Sequence, residues 1–218
     1  MTTATPGAFE RWLCGADGRP RTARFGLVLA GFYALFAATY LPINAFSVGR
    51  KAYILFLPGE ERLPFLPIFE YLYVLTYFVA VLLVVSVRDY ATFRRLLHAT
   101  GLTLLVAYTT YLVFPVYFER PRLDVTSLHT WLLSLSYMDK PYNHFPSLHV
   151  AISWLVVYAS QVSGRARIGL WLLTICMSVS TLFVKQHYIA DVLYGFALAT
   201  AAWRFSAASY RPSAPSPD

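Results

Sequence analysis

The sequence predicts an all-α fold, a polytopic membrane helical bundle with six transmembrane helices. Three observations predict it. The 218-residue chain is 57% hydrophobic and only 13% charged, where soluble domains carry about 25% charged residues. Its mean hydropathy is +0.51. Its apolar residues gather in runs long enough to cross a hydrocarbon core, which takes about 20 residues of helix. Tyr and Phe number 16 each, and many stand near the ends of those runs, where amphipathic rings favour the membrane interface.

Taken in order, residues 1–24 carry Arg11, Arg19, Arg21 and Arg24. They lack the short apolar core and cleavage site of a secretory signal, so they read as a cytoplasmic segment before a retained span. Phe25 to Gly49 holds no charge and is the first span. Ala52 to Pro67 contains Pro58, Gly59, Glu60, Glu61, Pro64 and Pro67. Prolines stop helices, so this stretch reads as an interfacial or re-entrant loop. Ile68 to Val87 is the second span, with Glu70 at its start, and Leu96 to Pro115 is the third. Val116 to His144 is a longer polar loop with a short helix near Ser127 to Ser136. Pro146 to Ser163 and Ile168 to Val184 are the fourth and fifth spans.

The sixth span is the informative one. Twelve residues between Asp191 and Arg204 carry no charge. At about 1.5 Å per residue they cannot cross a core of about 30 Å. The helix is therefore expected to begin near Gln186, with His187 and Asp191 inside its first turns at the membrane edge. Ionisable groups at such depth point to function. The bundle then runs over residues 25–207, and residues 208–218 form a disordered tail by their composition.

Six spans place eleven Lys and Arg residues on the side of both termini and seven on the other. The richer side is expected to be cytoplasmic. The short chain and short loops suit a bacterial inner membrane. The net charge of +7 does not indicate a nucleic-acid partner, because the basic residues lie in short clusters between apolar runs. Cys14 and Cys176 offer neither a disulfide framework nor a CxxC metal site.

Four span ends share the outer face: the end of the third, the start of the fourth, the end of the fifth and the start of the sixth. The polar clusters there are Arg120-Pro121-Arg122, Pro146-Ser147-Leu148-His149 and the stretch Ser180 to Asp191. His187 and Asp191 are four apart and would share a helix face. A carboxylate on Nδ1 leaves Nε2 bare as a nucleophile toward phosphorus; the same spacing also suits a pair that only satisfies itself. His149 follows Pro146 and Ser147 at a helix start, where Pro is favoured and free N–H groups attract anions. It can protonate a departing oxygen, or simply cap the span at headgroup level. Arg120 and Arg122 can clamp phosphate oxygens or face lipid headgroups. Ser147, Ser180 and Lys185 complete the candidate phosphate contacts. Hydroxyls inside spans, Ser180 and Thr181 among them, commonly bond their own helix, and Lys185 can snorkel. His129 and His144 read as loop histidines, and His98 lies at the far end of the third span.

These residues resemble the motifs of the type-2 phosphatidic acid phosphatase superfamily, which are Lys-x6-Arg-Pro, Pro-Ser-Gly-His and Ser-Arg-x5-His-x3-Asp. Arg120-Pro121 is similar to the end of the first. Residues 146–149 are similar to the second, and Ser180-Thr181-x5-His187-x3-Asp191 is similar to the third with its spacing intact. The sequence departs at three positions: Val113 replaces the first-motif Lys, Leu148 the Gly and Thr181 the Arg. Those departures resemble the inositol phosphorylceramide synthase-like branch. The resemblance implies a membrane enzyme acting on a lipid phosphate or phospholipid without cofactor or metal. His187 would carry the phosphoryl group, His149 would protonate the leaving alcohol, and water or a lipid alcohol would accept. The absence of an outer carboxylate cluster in the sequence agrees on metal. A haem-binding bundle would need facing axial histidines, which His98 and His149 do not form. A transporter-like or non-catalytic membrane protein of the same fold is the other reading, although no internal repeat of the transporter kind is visible.

Overall fold

A computed structural model describes residues 6–208. The tail expected beyond residue 207 lies outside the described residues except for Ala208, which still belongs to the last helix. The helices in order are α1 (Ala8–Leu13), α2 (Thr22–Phe46), α3 (Glu70–Tyr73), α4 (Leu75–Phe78), α5 (Leu83–Ser86), α6 (Tyr90–Val113), α7 (Leu128–Ser136), α8 (Leu148–Ala159), α9 (Gly164–Phe183) and α10 (Ile189–Ala208). The architecture is all-helical. Among the described residues, four segments are long and apolar enough to cross a membrane: Thr22–Phe46, Pro67–Ser86, Tyr90–Val113 and Gly164–Phe183.

The second of these segments is not one smooth helix. It runs through α3, α4, a 3-10 turn at Val79–Leu82 and α5. The helix expected from Pro146 to Ser163 is shorter than the sequence suggests, because α8 covers twelve residues. At about 1.5 Å per residue that is about 18 Å. It stops because Ser160 turns to extended backbone and the Gln161 N–H donates to the Ser86 carbonyl at 3.0 Å. The Ser86 and Ser160 hydroxyls meet at 3.0 Å beside that join.

Helix α8 is the centre of the bundle. Nine of its twelve residues are buried, and α6, α9 and α10 pack around it. Its main core runs through Val150, Leu155, Val156 and Val157 with Phe93 and Met177. The α8–α10 contact is close because of Gly195. A Cβ there would stand 2.6 Å from the Ser147 carbonyl oxygen and 3.3 Å from Val150 Cβ. The Gly195→Ala protein is therefore expected to lose stability by about 1–3 kcal/mol, the usual effect of overpacking a dense core. It should also lose activity, because α8 and α10 carry the residues described below. Thermal melts and turnover of the purified variant check this.

The loops at one end are fastened to the helices. The 52–67 segment meets the end of α6 through the Tyr53 N–H, which donates to the Pro115 carbonyl at 2.9 Å. Its Glu60 is buried and accepts the Ile189 N–H at 2.5 Å. An acidic group at a helix N-terminus is favourable, so Glu60 secures the start of α10. The expected outer-loop helix is present as α7, with Ser127 and Thr130 forming a capping box.

Candidate active site

Helices α8 and α10 begin side by side. The Ser147 N–H donates to the Asp191 carbonyl at 3.1 Å, and the Ser147 side chain accepts the Val150 N–H at 3.3 Å to cap α8. His149 thus sits in the first turn of α8. The sixth helix begins at Ile189 rather than near Gln186. His187 lies just before the helix and Asp191 in its first turn. The reason is a local cap: Asp191 Oδ2 reaches back to the Tyr188 N–H at 2.8 Å, as acidic side chains at the third helical position do.

The three residues form a continuous relay. Asp191 Oδ2 stands 3.3 Å from His187 Nδ1, and His187 Nε2 stands 3.3 Å from His149 Nδ1. The Asp191–His187 end of the relay is held out of water, at 0% and 5% exposure, and His149 is half-buried. With the carboxylate on Nδ1, the proton of a neutral His187 resides there and Nε2 is the lone-pair nitrogen. The hydroxyl of Tyr73 lies 3.2 Å from His149 Nε2 and 3.1 Å from the Tyr77 hydroxyl. The Tyr77 ring meets His149 edge to face at 5.1 Å.

Beside the relay lies a cavity of about 320 Å³. Phe32, Phe36, Leu41 and Ile152 make one part of its wall apolar, while Asp139, Asn143 and Gln186 make another part polar. His144, His149 and His187 all line it. A concave apolar site with a few converging polar groups is the form small-molecule sites take.

The cationic candidates stand elsewhere. Arg120 donates to the carbonyls of Tyr137 at 3.0 Å and Asp139 at 2.7 Å. It also donates to Asp139 Oδ1 at 2.7 Å and Gln186 Oε1 at 3.0 Å. It therefore braces the polar wall from behind and does not line the cavity. Arg122 is exposed and also outside the cavity. Lys185, at a φ of +54°, turns away to donate to the Leu63 carbonyl at 2.7 Å. Burial holds its pKa below the usual lysine value, with Glu60 acting in the opposite sense. The Ser180 hydroxyl donates to the Met177 carbonyl of its own helix at 2.7 Å, and Thr181 does the same to Ser178. Ser147 caps α8, as described above.

Three participants were not legible as such in the sequence. Tyr73 and Tyr77 fall inside the second expected span with no role assigned to them, and His144 looks like a loop residue. His144 is in a loop, but it is buried. Its ring packs on Phe118 at 5.7 Å and on His187 at 5.3 Å. Burial, then the neighbouring His187 and Arg120, hold its pKa well below the ordinary histidine value. His144, His187 and Asp191 offer donor atoms within 4.8 Å of one another, close enough to surround a cation. Both ring nitrogens of His187 already have protein partners, so His144 Nε2 and Asp191 Oδ1 are the unpartnered atoms of that group.

Comparison with known proteins gives one match. Residues 54–205 match the family described as the PAP2 superfamily. No curated protein and no solved structure matches the chain.

Proposed function

The chain belongs to the PAP2 superfamily, a family of lipid phosphatases and phosphotransferases, and from that premise we propose that it is an integral-membrane enzyme working through a phosphohistidine. In this reading it transfers a phosphoryl group from a lipid-linked phosphate. Transfer of a headgroup to a lipid alcohol, as in inositol phosphorylceramide synthase-like enzymes, stands level with hydrolysis. The observation that carries the reading is the relay Asp191–His187–His149 beside a largely apolar cavity.

The chemistry follows from the atoms. The lipid phosphate lies in the cavity with phosphorus facing His187 Nε2, where it displaces the 3.3 Å contact of that nitrogen to His149 Nδ1. His187 Nε2 attacks phosphorus while Asp191 keeps the Nδ1 proton in place. His149 gives its proton to the departing alcohol oxygen. The acceptor hydroxyl then takes the phosphoryl group and frees His187. N–H groups at the start of α8 stabilise the developing negative charge. Arg120 acts at one remove, by holding Gln186 and Asp139, and Arg122 or Lys185 would have to swing in to touch phosphate. No metal or cofactor is required by this scheme. The bundle makes six crossings in this reading: α10 is one, and α8, about 18 Å long, crosses together with the non-helical residues 160–163 that follow it. Both termini face the cytoplasm, and the site opens on the extracytoplasmic face of a bacterial inner membrane.

A lipid panel tests the proposal. Purified protein is given labelled phosphomonoester lipids, and phosphodiester lipids with a long-chain alcohol, with and without vanadate or a chelator. The expected result is label in free phosphate or in a new lipid, blocked by vanadate and unchanged by the chelator. Turnover abolished by the chelator but intact without His187 would refute it. Val113 and Thr181 replace two family cations, which favours a non-catalytic member as the second reading; absence of turnover across the whole panel would support that one.

A further inference from the structure

Three imidazoles line the cavity, and their nitrogens are not equally engaged. His187 has Asp191 on Nδ1 and His149 on Nε2. His149 has His187 on Nδ1 and the Tyr73 hydroxyl near Nε2. His144 alone keeps a ring nitrogen without a partner, and that atom, Nε2, is buried. The residue lines the cavity, and an orphaned buried polar atom is unfavourable unless something completes it. In a neutral imidazole one nitrogen carries the proton and the other is an acceptor, and the unpartnered Nε2 can serve as that acceptor.

The surroundings suit an incoming hydroxyl. Asn143 and His144 are consecutive, both buried, and both line the cavity. Asn143 takes the left-handed region at φ +64°, which Asn tolerates better than most residues. The Asn44 amide holds this turn by donating to the carbonyls of Lys140 at 3.0 Å and Tyr142 at 3.2 Å. One end of the Asn143 amide meets the Ser47 hydroxyl at 3.0 Å, and the other is unpartnered. The loop is thus held in a conformation that leaves free polar atoms on adjacent residues of the cavity wall.

We propose that His144 is a third catalytic histidine, the base for the acceptor hydroxyl in the second half of the reaction. The inference rests on the phosphohistidine reading. The acceptor O–H gives its proton to His144 Nε2 as its oxygen bonds to phosphorus. The bond between phosphorus and His187 Nε2 breaks, and its electron pair returns to that nitrogen. The proton then passes from His144 through the cavity to His149, which gave one up to the leaving alcohol in the first half, so both rings return to their resting state. His149 is the acid of the first half and His144 the base of the second, so the two halves respond to different substitutions.

The experiment follows the labelled phosphoenzyme in a single turnover, with a labelled lipid and an alkaline quench. His144→Ala is expected to gain label as fast and as fully as the natural protein, then lose it about 10²- to 10⁴-fold more slowly, the range of general-base catalysis. Added imidazole should restore part of that loss. His144→Gln keeps a polar side chain of similar reach and carries the same test if the alanine protein does not fold. Label that decays at the natural rate in the variant overturns the proposal. So does a variant that folds but never gains label, since His144 would then act in the first half. Absence of label in the unaltered protein overturns the phosphohistidine reading itself.

Discussion

The Asp191→Asn protein is expected to keep its fold and its affinity for lipid while kcat falls by about 10⁴-fold, the effect of the corresponding carboxylate-to-amide change in a serine protease triad. The carboxylate makes two contacts from Oδ2, one to the Tyr188 N–H and one to His187 Nδ1. An amide oxygen in the place of Oδ2 can still accept both hydrogen bonds, but it carries no charge. It therefore no longer offsets the positive charge that the His187 ring acquires when Nε2 bonds to phosphorus, and the amide N–H₂ takes the place of the unpartnered Oδ1. The start of α10 stays capped, so thermal melting should move little. Steady-state kinetics with KM and kcat resolved check this. A variant with near-normal kcat would show that Asp191 acts only as a cap.

His187→Ala has the larger effect, with no measurable turnover on any lipid and no labelled phosphoenzyme. The neighbouring His149 does not substitute for the nucleophile, because the partner on its other ring nitrogen is the Tyr73 hydroxyl and not a carboxylate. The residual rate would be that of positioning alone, and groups acting as a unit fail together. The variant leaves Asp191 buried with its Tyr188 contact, so some stability is lost with the imidazole. A melt of the variant therefore accompanies the assay, and a folded, inactive protein is the expected result. Full activity in His187→Ala would exclude a phosphohistidine on this residue.

Those two residues were legible from spacing alone, and the reason is local. His187 and Asp191 are four residues apart, and any helix start near them brings the side chains together. The exact start was not legible. Counting uncharged residues assumes that the helix must cross the whole core, whereas the Asp191 cap begins it at Ile189. The extent of α8 escaped for a similar reason, since its end is set by Ser86, far away in sequence. Arg120 reads as a free cation in its own neighbourhood. Its carboxylate partner is Asp139, at 2.7 Å across the loop, and nothing near Arg120 in sequence announces that. His144 and Tyr73 carry no local pattern at all. Their neighbours His187 and His149 come from other elements, and only the packed bundle joins them.

The shortness of α8 has a mechanical consequence for the bilayer. A spanning helix usually answers to the thickness of the lipid around it by tilting or by deforming the membrane. Helix α8 is screened by α6, α9 and α10, so lipid has little purchase on it. Thickness acts instead on peripheral helices such as α2, whose apolar stretch is not buried inside the protein. Thinner or thicker membranes would tilt α2 and so alter the side of the cavity formed by Phe32 and Phe36. The distance between His149 and His187 would stay as the protein sets it. Bilayer thickness then tunes how readily a lipid enters, and leaves the spacing of the reacting nitrogens untouched.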